Sequence, residues 1–146
     1  MDGLRHFHRL SDIDTVIVGV DLSEESKELV REGQWLSKAL GAELVLINVR
    51  PLDRYIETVF ATQTFWDEDV EQTIREIRKF YDLRPGDIKI EVRFGDPATE
   101  IEALSETYPN PLVFIGHSKK KSWEKLLSGS ASRDLAAESR THILIY

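Results

Sequence analysis

The sequence of 146 residues contains no cysteine, so disulfide bonds, thiolate nucleophiles and cysteine-ligated zinc sites are excluded. It also lacks an apolar run close to the roughly 20 residues that a membrane-spanning helix needs. Residues 1–13 form a short polar tail without the apolar segment typical of a signal peptide. We therefore expect a cytoplasmic protein that does not bind membranes.

Positive charge is scarce as well. The chain has 19 lysine and arginine residues against 26 aspartate and glutamate residues, which gives a net charge of −7. An acidic surface repels phosphate backbones, so a nucleic-acid partner is not expected. The histidines His6, His8 and His142 do not have the spacing of a metal site, and no metal ligand is assigned.

Apolar β-branched runs divide the chain into strands. Five strands are predicted, at 15–20, 44–49, 88–94, 112–115 and 142–146. Most of them lack any polar alternation, as is typical of central parallel strands that are buried on both faces. The run 88–94 alternates strictly and is predicted to be an edge strand or to have one solvated face.

Four helices are predicted between these strands. The first is capped by Ser23 and stopped by Gly41, and the second covers about 67–81. A short third helix follows Asp96 and Pro97, and a fourth starts near Ser130. Residues 51–66 show no clear period and are predicted to be a long loop, and the sequence does not decide whether that loop is ordered.

Strict alternation of strands and helices predicts the fold class. The expected structure is α/β, a single doubly wound domain over residues 1–146, with a five-stranded, mostly parallel open sheet and four helices, Rossmann-like in architecture.

Two strand ends carry residues suited to ligand binding, and doubly wound sheets bind ligands beyond such ends. Asp21 follows the first strand, where it can accept hydrogen bonds from a ligand or cap the first helix. The segment 116–132 follows the fourth strand. Ser130 lies at the predicted N-terminus of the last helix, where free amides and the helix dipole favour phosphate, and Ser132 can add a hydroxyl donor.

The segment 116–132 resembles the nucleotide-binding signature of universal stress proteins: glycine, two residues, glycine, nine residues, glycine, then serine or threonine. Gly116 matches the first position, and Gly129 with Ser130 matches the last pair. The first strand and turn (18–26), Asn48–Val49 and residues 95–98 are also similar to family segments in the same order. The resemblance thus extends over nearly the whole chain.

The resemblance implies a small nucleotide-responsive protein of the stress response, with ATP or AMP bound between the two strand ends. Mg²⁺ is expected only together with a nucleotide. In nucleotide-binding members, residues equivalent to Asp21 and Val49 lie near the base and sugar. The resemblance also implies a homodimer paired through the last strand, His142–Tyr146. The implied nucleotide-binding residues are Gly19, Val20, Asp21, Val49, Gly116, His117, Lys119, Gly129, Ser130, Ala131 and Ser132.

One departure leaves the function open. Lys119 replaces the second glycine of the signature and is followed by two further lysines. The lysines either attract phosphate, form a solvated loop face or fill the phosphate space. In the last case the chain is a nucleotide-free, homodimeric interaction module.

Catalysis has little support in the sequence. There is no GxxxxGK[ST] phosphate loop, no GxSxG elbow and no carboxylate at a spacing that would orient His117. No catalytic residue is assigned, and any ATP hydrolysis is expected to be slow. An adenylyl-transferring enzyme of the same superfold is a further alternative, which the short chain disfavours.

Overall fold

The computed structural model describes residues 9–51, 63–84, 86, 88–117 and 142–146. After a 3₁₀ turn at Leu10–Asp12, the strands are β1 (Thr15–Gly19), β2 (Glu43–Arg50), β3 (Lys89–Phe94), β4 (Pro111–Ile115) and β5 (His142–Ile145). The helices are α1 (Glu24–Leu40), α2 (Gln63–Phe80) and α3 (Pro97–Ser105). No helix in these ranges is long and apolar enough to span a membrane.

The five strands form one parallel sheet in the order β3-β2-β1-β4-β5. Every strand boundary lies within one residue of the predicted one. The predicted doubly wound α/β fold is confirmed, and β3 is the edge strand that its alternation indicated. The predicted fourth helix, near Ser130, lies outside the described residues.

The sheet is covered on both faces, which explains the unbroken apolar runs of its central strands. Val16 and Val18 of β1 belong to one core cluster, with residues of α1 and α2. Ile17 points the other way, into a second cluster that includes Ile101 and Leu104 of α3. Because successive residues of a strand face opposite sides, each residue of β1 serves one of the two cores.

Helix α1 lies very close to the sheet at one position. A β-carbon on Gly33 would lie 2.7 Å from Cγ2 of Val18 in β1, so only glycine fits there. The predicted caps are confirmed as well. The Ser23 side chain accepts a hydrogen bond from the amide of Ser26 at 3.2 Å, and Gly41 has the left-handed φ of 64°.

Helix α2 begins at Gln63, four residues before the predicted start at Asp67. The predicted start was wrong because four residues make about one helical turn, too little for a hydrophobic period to show. Residues 63–66 therefore belong to the helix and not to the predicted loop. Residues 52–62 of that loop lie outside the described residues.

Candidate functional site

A cavity of about 410 Å³ opens at the carboxyl ends of β1 and β4. This is the switch point of the sheet, because the chain leaves β1 toward β2 on one side and returns to β4 on the other. The carboxyl end of β2, the first turns of α1 and α3, and Tyr146 after β5 complete the lining in the described part of the chain.

Six of the predicted site residues meet in this cavity although they come from three separate strand ends. They are Gly19, Val20, Asp21, Val49, Gly116 and His117. The other five, Lys119, Gly129, Ser130, Ala131 and Ser132, lie outside the described residues.

Asp21 stands at the rim in a tight turn. Its Oδ1 accepts hydrogen bonds from the amide of Ser23 at 3.0 Å and from the Ser23 hydroxyl at 2.5 Å. The N-cap of α1 is therefore Ser23, and Asp21 braces that cap from two residues upstream. The exposed carboxylate of Asp21 remains part of the cavity lining.

The turn contains a residue in an unusual conformation. Leu22 has a φ of 62°, in the left-handed region that side chains other than glycine, asparagine and aspartate rarely adopt. The hydroxyl of Tyr81, the residue after α2, accepts a hydrogen bond from the amide of Leu22 at 2.9 Å. Burial raises the pKa of Tyr81 above its usual value, so the phenol stays protonated at neutral pH.

The α1 side of the cavity is acidic. Asp21, Glu25 and Glu28 line it, whereas no lysine or arginine is among the described lining residues. The phenol of Tyr146 donates a hydrogen bond to Oε1 of Glu28 at 2.7 Å, and this bond raises the pKa of Tyr146. The ring of Tyr146 meets that of Phe114 edge to face, with centroids 5.7 Å apart. Tyr146 thus joins β5 to α1 across the cavity.

The opposite wall is apolar and includes Ile47, Ala98, Ile101 and Ile115. Gly19 lies beneath it, where a β-carbon would come within 3.1 Å of Cδ1 of Ile101. A glycine at this position therefore leaves room between β1 and α3. A site with one apolar wall and one wall of hydrogen-bond acceptors suits a ligand that has a flat apolar part and donor groups.

Sequence reasoning missed the contributions of α3, Glu28 and Tyr146 to the cavity. A signal for them was present, since the carboxyl ends of parallel strands share one edge of the sheet. The turn after β3 and the residue after β5 must therefore lie beside the turn after β1. In the described residues, no group of histidine, aspartate and glutamate side chains is arranged to hold a metal ion.

A doubly wound sheet with an open cavity at its switch point has the architecture in which α/β proteins commonly hold ligands at strand ends. The model of the universal stress protein family matches residues 12–146, and the chain therefore belongs to that family. The resemblance noted in the sequence is confirmed. A search among curated proteins finds no match.

Several solved structures have a similar fold. A universal stress protein in complex with cAMP has a TM-score of 0.56 and 21% identity, over 92% of this chain and 96% of that chain. The universal stress protein UspA from Lactobacillus plantarum has a TM-score of 0.55 and 17% identity, over 90% and 96%. A universal stress protein from Archaeoglobus fulgidus has a TM-score of 0.51 and 20% identity, over 90% of this chain and 43% of that chain. At these identities the likeness concerns the fold.

Proposed function

We propose that this universal stress protein is a nucleotide-responsive signalling protein that binds an adenine nucleotide in the cavity at the ends of β1 and β4. One observation carries the proposal: residues predicted from the sequence to bind a nucleotide, at the ends of β1, β2 and β4, line a single cavity of about 410 Å³. That a fold neighbour was solved in complex with cAMP is consistent with a ligand of this class.

Each wall of the cavity suits a different part of the nucleotide. The apolar wall with Ile47 and Ile101 suits the base, and the carboxylate of Asp21 is an acceptor for ribose hydroxyls. The acidic side of the cavity is unsuited to phosphates. The phosphates are assigned to the sequence segment with Lys119 and Ser130, which carries cationic side chains and hydroxyl donors. Mg²⁺ enters only with a nucleotide, and hydrolysis, if catalysed, is slow.

Isothermal titration calorimetry tests this proposal with ATP, AMP and cAMP, each with and without Mg²⁺. Wild type is expected to bind at micromolar Kd, and Ser130→Ala and Asp21→Asn are expected to weaken binding by about tenfold each. Ser128→Ala changes one of the nine unspecified positions of the signature, and Asp12→Asn lies outside the cavity lining, so both serve as matched controls. Absence of binding by wild type for all three nucleotides contradicts the proposal.

The second candidate function is the nucleotide-free homodimer, and β5 supports it. Within the described residues β5 pairs with β4 alone, and its side chains Leu144 and Ile145 are 44% and 40% exposed. An apolar edge strand is a template for pairing with a second chain. In this version Lys119 occupies the phosphate space and the protein acts by docking onto a partner.

Two measurements separate the candidates. In sedimentation at tens of micromolar, wild type is expected to be dimeric and Leu144→Lys monomeric, whereas Leu10→Lys, at a side chain 65% exposed elsewhere, stays dimeric. A monomeric wild type contradicts the homodimer. If wild type binds no nucleotide and Lys119→Gly gains binding, the nucleotide-free function replaces the first.

A further inference from the structure

The turn between β1 and α1 places two residues in the cavity lining with a strained residue between them. Asp21 and Ser23 line the cavity, and Leu22 between them has a φ of 62°. A leucine in the left-handed region persists where the surrounding structure holds it there. The contacts of this turn therefore bear on how the cavity is formed.

A chain of hydrogen bonds holds the turn from outside. The amide of Leu22 donates to the Tyr81 hydroxyl at 2.9 Å, and that hydroxyl lies 2.6 Å from the Ser26 hydroxyl. The Ser26 hydroxyl in turn lies 2.6 Å from the carbonyl oxygen of Ser23, to which it donates. Since the single proton of Ser26 goes to Ser23, Tyr81 must donate its own proton to Ser26. The chain starts at the amide of Leu22 and ends on the carbonyl of Ser23.

Tyr81 is itself firmly placed. It is 9% exposed and follows the last residue of α2. The amide of Leu83 bonds to the carbonyl of Arg78 at 2.8 Å and that of Asp82 to Lys79 at 3.3 Å, with Asp82 at a φ of 53°. This is the hydrogen-bond pattern of a Schellman motif, which fixes the end of a helix. The end of α2 therefore delivers the hydroxyl to a turn 59 residues earlier.

We infer that Tyr81 is a positioning residue of the ligand site, and this inference rests on the proposed nucleotide function. Its hydroxyl bonds to the amide of Leu22 and, through Ser26, to Ser23, and so holds the conformation in which Asp21 and Ser23 face the cavity. The aromatic ring contributes to the core, whereas the hydroxyl serves the site. Tyr81 is absent from the cavity lining.

Removal of the hydroxyl alone tests the inference, with Tyr81→Phe as the variant. Tyr108→Phe is the matched control, since Tyr108 is a half-buried tyrosine beside Lys89, at the opposite end of the sheet. Hydrogen exchange followed by NMR is measured first because it needs no ligand. Exchange of the Leu22 amide is expected to become about tenfold faster in Tyr81→Phe, with the β1 amides unchanged.

Nucleotide affinity is measured next, by calorimetry well below the unfolding temperature, with the nucleotide that wild type binds best. Tyr81→Phe is expected to weaken binding about fivefold to tenfold and Tyr108→Phe to leave it unchanged. Adding Leu22→Gly to Tyr81→Phe removes the strain at φ 62° and is expected to recover part of the affinity. If Tyr81 had only a core role, Tyr81→Phe and the double variant would both lose thermal stability, and Leu22→Gly would recover no affinity.

The outcomes separate the two proposals. Absence of nucleotide binding by wild type contradicts the proposed function and leaves the exchange experiment to decide the role of Tyr81. Unchanged exchange at Leu22 in Tyr81→Phe overturns the inference whatever the protein binds. Faster exchange together with unchanged affinity also overturns it, because the turn then does not matter to the ligand.

Discussion

Two turns of this molecule connect a strand to a helix beside the cavity, but different interactions stabilise them. One leads from β1 into α1 and the other from β3 into α3, and both lie at the cavity. Each has an N-cap side chain, Ser23 or Asp96, and one residue with positive φ. That residue is Leu22 at 62° in the first turn and Gly95 at 138° in the second.

The difference lies in what stabilises each conformation. The second turn uses a glycine, the amide of which bonds to the carbonyl of Arg50 at 2.9 Å, and a local cap. The first uses distant side chains: Tyr81 bonds to Leu22, and Asn48 donates to the carbonyl of Val20 at 2.8 Å. The second turn thus relies on a glycine, a local cap and one backbone bond to β2, whereas the first depends on side chains that come from distant parts of the chain.

The largest expected effect is on the second turn. Gly95→Ala should lower the free energy of unfolding by about 2–3 kcal/mol, since alanine is strained at a φ of 138°, even though its β-carbon would meet Cγ of Glu100 only at the ordinary contact distance of 3.4 Å. Gly41→Ala, at a φ of 64° in open space, should cost about 1 kcal/mol and is the control. Urea denaturation measures both, and equal losses would contradict the difference between these glycines.

Asn48→Ala removes a side chain of β2 that stabilises the first turn. The buried amide group is lost from the carbonyl of Val20, and we expect a loss of about 1–2 kcal/mol in the free energy of unfolding. Hydrogen exchange should speed up at Ser23 and stay unchanged at Gly95. Equal acceleration at both turns would mean that Asn48 supports the whole sheet and not the first turn.

The two caps sharpen the comparison further. Ser23→Ala and Asp96→Ala should each cost about 1 kcal/mol of unfolding free energy, because each leaves a first-turn amide without its acceptor. The two losses should be about equal, because each cap side chain makes a second side-chain bond: the Ser23 hydroxyl donates to Asp21, and the Asp96 carboxylate accepts from the Thr99 hydroxyl at 2.9 Å. Ser23→Asp keeps an acceptor and is the control. A clearly larger loss for either alanine variant would mean that the caps themselves distinguish the two turns.

The smallest effect concerns pH. Burial raises the pKa of Tyr81 above its usual 10.0, so folding favours the protonated phenol. The stability from this shift is fully present below pH 10 and is lost as the pH rises through the raised pKa. Between about pH 9 and pH 11, wild type should lose more unfolding free energy than Tyr81→Phe, which lacks the group. Parallel curves from urea denaturation would contradict the assignment.

The sequence predicted the sheet well and the first turn poorly, for physical reasons. Runs such as Val16–Val18 are apolar on both faces, and this pattern defines a central parallel strand. Asp96 and Pro97 predict a helix start, because aspartate is a favoured N-cap residue and proline is favoured at the first helical position. Leu22 carries no comparable signal, because the side chain that bonds to its amide, Tyr81, lies 59 residues away in the chain.

The candidate site divides in the same way. Gly19, Asp21 and Gly116 were predictable because strand ends share one edge of the sheet. The position of Tyr146 beside the cavity was predictable on the same ground. Its hydrogen bond to Glu28 was not, since a bond between residues 118 positions apart leaves no periodic trace. The roles of Lys119 and Ser130 remain predictions from the signature.

The glycine at position 33 has a further consequence for how the cavity can respond to a ligand. Because Val18 packs directly against the backbone of α1 at Gly33, sliding the helix along the sheet would bring a bulkier residue onto the valine and is disfavoured. Glu25 and Glu28 of the cavity lining lie on that helix, and Ser23 caps it. Under the proposed function, we therefore expect the α1 side of the cavity to keep its position when a nucleotide binds and any change of width to come from the opposite side.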